Sequence, residues 1–473
     1  MKVTSRQFPE KAARAMEDEN LQKALGVFAD HFPLLRRHGL STLPEFGELS
    51  RQAVEIKDRT LGHLDHYLEL FTENAEAVGT HVHFASDAAA AREIIRDICL
   101  EKKARLVTKG KSMVSEEIGL NDELEAAGIE VVETDLGEYI LQLAGETPSH
   151  IIAPAIHKSA KDVAALFAAN HGDMGFDRSK GSGLLAEARS VLREKYFEAD
   201  VAVTGANFLV AETGSVALVT NEGNGDMAMT LASTHIVVTG IEKVLPDLET
   251  LGLMLRLLAR SATGQEITAY NTLMTGPKRA EDTDGPGEFH VVLLDNGRSK
   301  MLGGELEPLL RCFRCGSCMN HCPVYGAVGG HAYGWVYPGP IGAAFNPAIL
   351  GLEETRHLVE ASSLCGRCEE VCPLQIPLPA ILRYWRRQAH ESKIGKRRER
   401  WGVKAWSWLS RHPILYGWAL GLAGWSMRIF SKAGRVRPFL LPDGWGAKRD
   451  LAAPRAGRFT RVWKKGQGDG HEG

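Results

Sequence analysis

Cys312-Phe-Arg-Cys315-Gly-Ser-Cys318-Met-Asn-His-Cys322-Pro323 and, further on, Cys365-Gly-Arg-Cys368-Glu-Glu-Val-Cys372-Pro373 hold seven of the eight cysteines in the chain. The first block reads C-x2-C-x2-C-x3-C-P and the second C-x2-C-x3-C-P. Thiolates are soft ligands suited to iron–sulfur clusters. The C-x2-C spacing lets a tight loop wrap successive sulfurs around one cubane, while the cysteine ahead of the proline sits on departing chain and reaches the other cluster. This spacing predicts two [4Fe-4S] clusters, one on Cys312, Cys315, Cys318 and Cys372, the other on Cys322, Cys365 and Cys368. A four-cysteine zinc site assembled from mixed C-x2-C pairs is the competing reading. It would leave three cysteines over and give no reason for two Cys-Pro endings. The eighth cysteine, Cys99, lies in the helical apolar stretch Ile94–Leu100 and is expected in a core.

The second block is one ligand short. Extending the first block's spacing backwards from Cys365 lands on Ser362. The fourth ligand is therefore the Ser362 hydroxyl, a water or a substrate on an open iron, or else the cluster is site-differentiated and converts to a [3Fe-4S] form. Two clusters in one small module form an electron relay, with potentials set by charge, hydrogen bonds and exposure. Arg311, Arg314 and Arg367 stand beside the cysteines, either offsetting cluster charge or as ordinary surface residues.

The surrounding 473 residues are 44% hydrophobic and 24% charged, an ordinary globular composition with room for two or three domains. Met1–Glu10 carries no apolar signal-like run, and no stretch of 18 or more apolar residues appears, so a cytoplasmic protein without a spanning helix is expected. The net charge of −3 hides an asymmetry: from Glu391 to Gly473 there are 18 Lys and Arg against six Asp and Glu, so the remainder is acidic. Such a split suits a basic tail that meets an acidic partner, a membrane surface or nucleic acid, or one that is simply solvated. Pro413–Met427 is apolar but short, and follows Lys396, Arg397, Arg398, Arg400 and Lys404. It is expected either to pack against protein or to lie peripherally at the inner membrane face. No nucleic-acid partner is expected.

Four regions are expected. Residues 1–78 form a helical segment, with Leu21, Leu25 and Phe28 recurring at helical spacing. Residues 79–302 alternate short β-rich runs (Arg105–Thr108, Ile129–Val132, His150–Pro154, Val201–Gly205, Ser215–Thr220, Ile236–Thr239, Phe289–Leu294) with helices such as Glu116–Ala127 and Leu248–Ala262, the signature of an α/β domain. Residues 303–390 form the α-helical two-cluster module, and 391–473 a basic, Trp-rich C-terminal region whose end from Gly444 is expected to be poorly ordered. Lys109-Gly-Lys-Ser112 imitates a phosphate-binding loop, but Arg105 stands where the motif needs glycine. Polar loops follow the strands at Lys109–Ser112, Glu133–Glu138, Gly205–Asn207 and Glu212–Ser215. Ligands bind at such loops in open α/β sheets. Glu212 is a catalytic candidate, as base or nucleophile beside Gly214. Turn chemistry explains the same residues, and His150 and His235 read as structural.

The segments Leu310–Tyr325, Ser363–Pro377, Lys109–Ile118 and Ala211–Val216 closely resemble the lactate utilization protein B family, and the likeness covers nearly the whole chain. The resemblance implies an α/β domain of the NagB/RpiA/CoA-transferase-like type followed by a two-cluster ferredoxin module. It also implies electron transfer in the oxidation of L-lactate to pyruvate. The partners it implies are a cysteine-rich heterodisulfide-reductase-like protein and a second protein carrying the α/β domain alone. In such a family the absence of cysteine at position 362 is a shared trait. Two other functions stand beside this one: an α/β-domain enzyme acting on a carboxylate or thioester with the clusters as relay, and an interaction scaffold with structural clusters.

Overall fold

The computed structural model describes residues 3–110, 112–395, 397–432, 434–436, 451–454 and 462–463. Four helices open the chain: Phe8–Ala15, Glu19–Ser41, Phe46–Gly62 and Leu64–Ala77. The second begins where the Asp18 carboxylate accepts the Asn20 and Leu21 N–H groups, both at 3.0 Å, and it buries Leu25 and Phe28 as the helical spacing predicts.

Ten strands follow within the α/β region: β1 Thr80–Ala85, β2 Leu106–Lys109, β3 Glu130–Glu133, β4 Val201–Thr204, β5 Phe208–Val210, β6 Ser215–Thr220, β7 Thr234–Gly240, β8 Val244–Leu245, β9 Tyr270–Met274 and β10 Glu288–Leu294. Six of them make a wholly parallel sheet in the order β1-β10-β7-β4-β2-β3. A parallel sheet covered on both faces reads as unbroken apolar runs, and β4 and the whole of β7 are buried along their length. A smaller sheet, β8-β5-β6-β9, flanks it. Cys99 is fully buried with Ile95 and Ile98 beneath the parallel sheet, and burial pushes its thiol up to about 12.

Several expectations need correction. His150–Pro154 is a loop and not a strand: the His150 imidazole Nδ1 accepts the Ile152 and Ala153 N–H groups at 3.0 and 3.1 Å, so the backbone is bound locally and unavailable to a ladder. The stretch expected as one helix over Glu116–Ala127 is two, Met113–Ile118 and Leu120–Ala126, broken at Gly119, whose φ is +68°. β1, β5, β8 and β9 escape the sequence reading: β1 carries two histidines, β5 and β8 are only three and two residues long, and β9 is a largely exposed strand at the edge of its sheet. The region from Gly444 falls almost wholly outside the described residues.

The cysteine region is built of short helices, among them Ser317–Asn320, Gly339–Leu350, Leu352–Glu360, Arg367–Glu370 and Leu378–Glu391. It shares its core with what precedes it: one apolar cluster joins Leu25, Ala53, Phe208, Met254, Phe313, Phe345 and Leu382. Residues 1–389 accordingly form one compact unit and 390–473 a second. The second unit carries the helices Arg397–Ser410 and Pro413–Ile429, with Trp401, Trp406, Trp408, Trp418 and Trp425 all exposed. Among the described residues no helix is long and apolar enough to cross a membrane.

Gly214 is required by packing and not by a ligand. A Cβ there would fall 2.2 Å from the Ala75 nitrogen, and its φ is +63°. The same approach lets the Asn74 amide donate to the Ala211 and Glu212 carbonyls at 2.8 and 3.1 Å. Gly214→Ala should therefore cost about 3 kcal/mol, combining left-handed strain with overpacking. Gly128→Ala, with φ +80° but open space around it, should cost only about 1 kcal/mol. Chemical denaturation of the two variants checks the difference.

Candidate functional site

The two cysteine loops repeat one backbone. In the first, Arg314 has φ +62° and Gly316 φ +72°, leading into the helix Ser317–Asn320; in the second, Leu364 has φ +57° and Gly366 φ +85°, leading into Arg367–Glu370. The hydrogen bonds repeat as well. Arg314 N–H donates to the Cys312 sulfur at 3.4 Å, and Leu364 N–H donates to the Ser362 hydroxyl at 3.2 Å. Ser362 thus occupies in its loop the place that Cys312 occupies in the first. Its neighbour Ser363, which spacing does not single out, hydrogen-bonds to Cys365.

The sulfurs fall into two groups. Burial, then the neighbouring Cys372 and Cys312, pushes the Cys315 thiol up; burial, then Cys315, Cys312 and Cys372, does the same for Cys318. Burial raises Cys322, with Cys365 adding to it, and raises Cys368 to about 12, with Cys322 and Cys365 adding. Cys365 alone is exposed, and the Arg367 N–H and the Ser363 hydroxyl hold its thiol below the usual range. The structure thereby brings together Cys312, Cys315, Cys318 and Cys372 on one side and Cys322, Cys365 and Cys368 on the other. The sulfur of Cys318 also senses Cys368, which places the two groups side by side.

This donor set fits iron–sulfur clusters. All eight cysteines are free thiols, and backbone N–H groups of Tyr325 and Ile376 point at the Cys322 and Cys372 sulfurs, each at 3.5 Å. Such N–H···S bonds are among the features that set cluster potentials. A single tetrahedral zinc with bonds near 2.3 Å needs its sulfurs roughly 3.8 Å apart. Among the described residues no three cysteine sulfurs lie within 4.8 Å of one another.

The three arginines separate by role. Arg314 lays its guanidinium over the rings of Tyr337 and Phe345, 4.2 and 4.4 Å from their centroids, and its Nη1 is buried with no hydrogen-bond partner. Arg311 pairs with Asp58, and Arg367 with Glu370 on the surface. Two cations beside the cysteines carry no motif. Arg36 donates to the Val371 carbonyl at 3.1 Å and feels Cys315 and Cys372. Lys243, 6% exposed, donates to the Cys312 carbonyl at 3.0 Å; burial lowers its ammonium to about 8.

Beside the first cysteine group a cavity of about 260 Å³ opens at the carboxyl end of β2, β4 and β7. Gly110, Ser112, Asp135 and Asn207, from three of the polar loops expected to bind ligands, line it; Lys111 lies outside the described residues. Glu212 does not line it. That carboxylate is exposed and accepts the Leu248 N–H at 3.2 Å at the start of the helix Leu248–Ala262, which corrects its reading as a base. Lys109 is buried in an ion cluster with Glu116 and Glu133, at 2.5 and 2.6 Å, and so faces no phosphate. His150 and His235 are structural, as expected. His150 bonds Asn320 at 2.9 Å, and His235 bonds Thr204 at 2.8 Å, with burial lowering its imidazole to about 3.

The cavity and the cysteine loops are fastened by residues that no motif marks. Arg298, fully buried, donates to both oxygens of Glu117 at 2.9 and 2.8 Å and to Glu242 at 2.8 Å. The Tyr337 hydroxyl donates to Glu117 at 2.5 Å and Asn296 adds a bond at 2.7 Å. Only the charges beginning the Ile241-Glu-Lys243 turn, directly after a buried strand, hint at this in the sequence.

Comparison with known proteins agrees with this division. The LUD domain family model matches residues 68–294, and the 4Fe-4S dicluster domain model matches 308–376. The chain is 41% identical over 473 residues to lactate utilization protein B of Shouchella clausii, covering 99% of each. It is 42% identical to that of Bacillus velezensis, covering 98% of each. A solved structure, a DUF162 family protein from Deinococcus radiodurans, overlaps 49% of this chain and 98% of its own at 13% identity and a TM-score of 0.28, too slight a likeness to bear on the fold.

Breaking the buried Arg298 network by Glu117→Gln should destabilise the protein by about 3 kcal/mol, because the guanidinium loses its bidentate carboxylate and keeps only Glu242 as a charge partner. The double variant Glu117→Gln/Arg298→Met should not recover that loss, because it leaves the buried Glu242 carboxylate without its guanidinium. Thermal unfolding of the two variants measures both.

Proposed function

The chain belongs to the lactate utilization protein B family, and on that premise we propose that it is the iron–sulfur electron-transfer subunit in the oxidation of L-lactate to pyruvate. The observation that carries the reading is the division of seven thiols into two adjoining groups on one repeated loop. Cys312, Cys315, Cys318 and Cys372 would hold one [4Fe-4S] cluster; Cys322, Cys365 and Cys368 would hold the second, with the Ser362 oxygen as fourth donor. When bound, such clusters supply one-electron transfer.

The chain's own residues divide the remaining work. Backbone N–H groups at Arg314, Tyr325 and Ile376 direct positive dipoles at the sulfurs, while Arg36, Arg314 and Lys243 place cationic charge beside the inner group. Both effects favour the reduced, more negative state. Phe313 and Met319 exclude water from that group. Cys365, exposed, makes the second group the outer pole, where a partner approaches. The partners are a cysteine-rich heterodisulfide-reductase-like protein and a second protein with the α/β domain, the latter of the ribose-phosphate isomerase and CoA-transferase type. The basic helices of the 391–473 region, with their exposed tryptophans, suit peripheral contact with an anionic membrane from the cytoplasm.

Anaerobically prepared protein should carry about seven to eight irons and equal sulfide, following from two clusters. Cys318→Ala should deplete chiefly the inner cluster and Cys365→Ala the outer, each halving iron, while Cys99→Ala leaves it unchanged. Ser362→Ala should hasten iron loss in air and Ser362→Cys slow it, followed by electron paramagnetic resonance. Lactate should reduce the clusters only when the partner proteins are added. Stoichiometric zinc without acid-labile sulfide would sink the proposal.

A further inference from the structure

We propose that the cavity at the carboxyl edge of the parallel sheet is a binding site for a small organic monocarboxylate, held by Arg314 and Lys243 directly against the first cysteine group. The site goes beyond electron transfer, and no bond is made or broken in it.

Position comes first. The cavity is walled by the turns after β2, β4 and β7 on one side and by Phe313, Arg314 and Cys315 on the other. Carboxyl ends of parallel strands are where open α/β sheets bind ligands. Among the described residues Cys315 is the only cysteine that lines it, so the cavity is not the space enclosed by the four sulfurs. It is a separate chamber sharing one wall with them.

Charge gives the class of ligand. Among the described lining residues the cations are Lys243 and Arg314 and the anions Asp135, Glu222 and Glu242. Glu242 is already committed to Arg298. Asp135 accepts the Gly137 and Glu138 N–H groups at the start of the helix Leu136–Ala144. Lys243 makes one hydrogen bond, to the Cys312 carbonyl, and Arg314 Nη1 is buried with no partner at all. A buried donor left unmade costs about 1–3 kcal/mol, more on a charged group, so its retention at a cavity wall points to an acceptor that arrives with a ligand. A guanidinium held against two aromatic rings set nearly perpendicular to each other has little freedom to turn, and its fork suits a planar carboxylate.

The remaining wall sets size and charge. Ile151, Leu258 and Phe313 offer an apolar surface for a short carbon body. The Asn207 amide spends its oxygen on the Val219 N–H at 3.0 Å, which leaves its nitrogen to donate to a hydroxyl or oxo group. Asp135 and Glu222 nearby disfavour a dianion, and so favour a monocarboxylate over phosphate.

The test uses the full-length protein with its clusters intact under anaerobic conditions. L-lactate, pyruvate, propionate and inorganic phosphate are each titrated by calorimetry, and the methyl proton linewidths of the carboxylates are followed with the clusters reduced. The expected result is saturable binding of at least one carboxylate, one per chain, with paramagnetic broadening from the adjacent cluster. Phosphate should bind at least tenfold more weakly. Ala262→Phe, which fills the chamber from the helix Leu248–Ala262 without touching a cysteine, should abolish binding at unchanged iron content. Arg314→Lys, which keeps the charge and loses the fork, should weaken carboxylate binding about tenfold. Absence of saturable carboxylate binding at millimolar concentration, binding indifferent to Ala262→Phe, or phosphate binding as tightly as the carboxylates would each overturn the proposal. The first of these would also show that the cations serve the cluster charge alone, and would leave the electron-transfer reading standing.

Discussion

A buried guanidinium holds the functional half of this molecule together. Arg298 leaves the end of β10 region and meets Glu117 from the helix after β2 and Glu242 from the turn after β7, while Tyr337 reaches Glu117 from the cysteine region. Two carboxylates around one arginine would be a costly burial in isolation, and a pair of this kind is weak evidence for stability as such. What it secures is position. Burial pushes the Glu242 carboxyl up, but the charges of Arg298 and Lys243 outweigh it and hold the group well below the usual range, near 2. The network therefore stays ionised across ordinary pH and fixes three strand ends and the cysteine region in one register. Space for a side chain at Gly240 does not exist, since a Cβ would fall 2.0 Å from Glu242 and 2.5 Å from Arg298.

From that fixed point the rest of the site follows. Glu242 and Lys243 are consecutive residues, so seating the carboxylate on Arg298 turns the neighbouring ammonium towards the Cys312 carbonyl. Tyr337, tied to Glu117, supplies one of the two rings on which Arg314 lies, and Phe345 supplies the other while also facing Arg298 at 5.5 Å. The α/β sheet and the cysteine loops are consequently not two modules on a linker. They share walls, charges and a core.

Asymmetry between the two cysteine groups is built into the same packing. The first lies among Phe313, Met319, Tyr337 and the sheet edge, and the second opens towards solvent at Cys365. Buried surroundings and exposed surroundings set different potentials on chemically similar clusters. The serine in the second loop belongs to that outer side, where Arg386 also holds the Ser362 carbonyl at 2.8 Å.

The cysteine spacing by itself divided the seven thiols into the same two groups that the fold brings together, because C-x2-C loops and departing Cys-Pro segments leave few ways to gather them. It also placed Ser362, since a repeated spacing demands a repeated loop. Most strands of the parallel sheet were legible as unbroken apolar runs, and Leu248–Ala262 as a helix. The histidine-bound loop at His150–Pro154 was not, because a β-rich composition says nothing of which group binds the backbone. Glu212 and Gly214 looked functional for the same reason: a helix start and a close helix approach leave the same residues as a ligand loop. Arg298, Glu117, Glu242, Lys243 and Tyr337 carry no motif, and each would pass in sequence for a solvated or ordinary residue. Their meaning comes from contacts between positions as far apart as Glu117 and Tyr337. Only the closed fold brings those charges into one low-dielectric space, where each must find a partner.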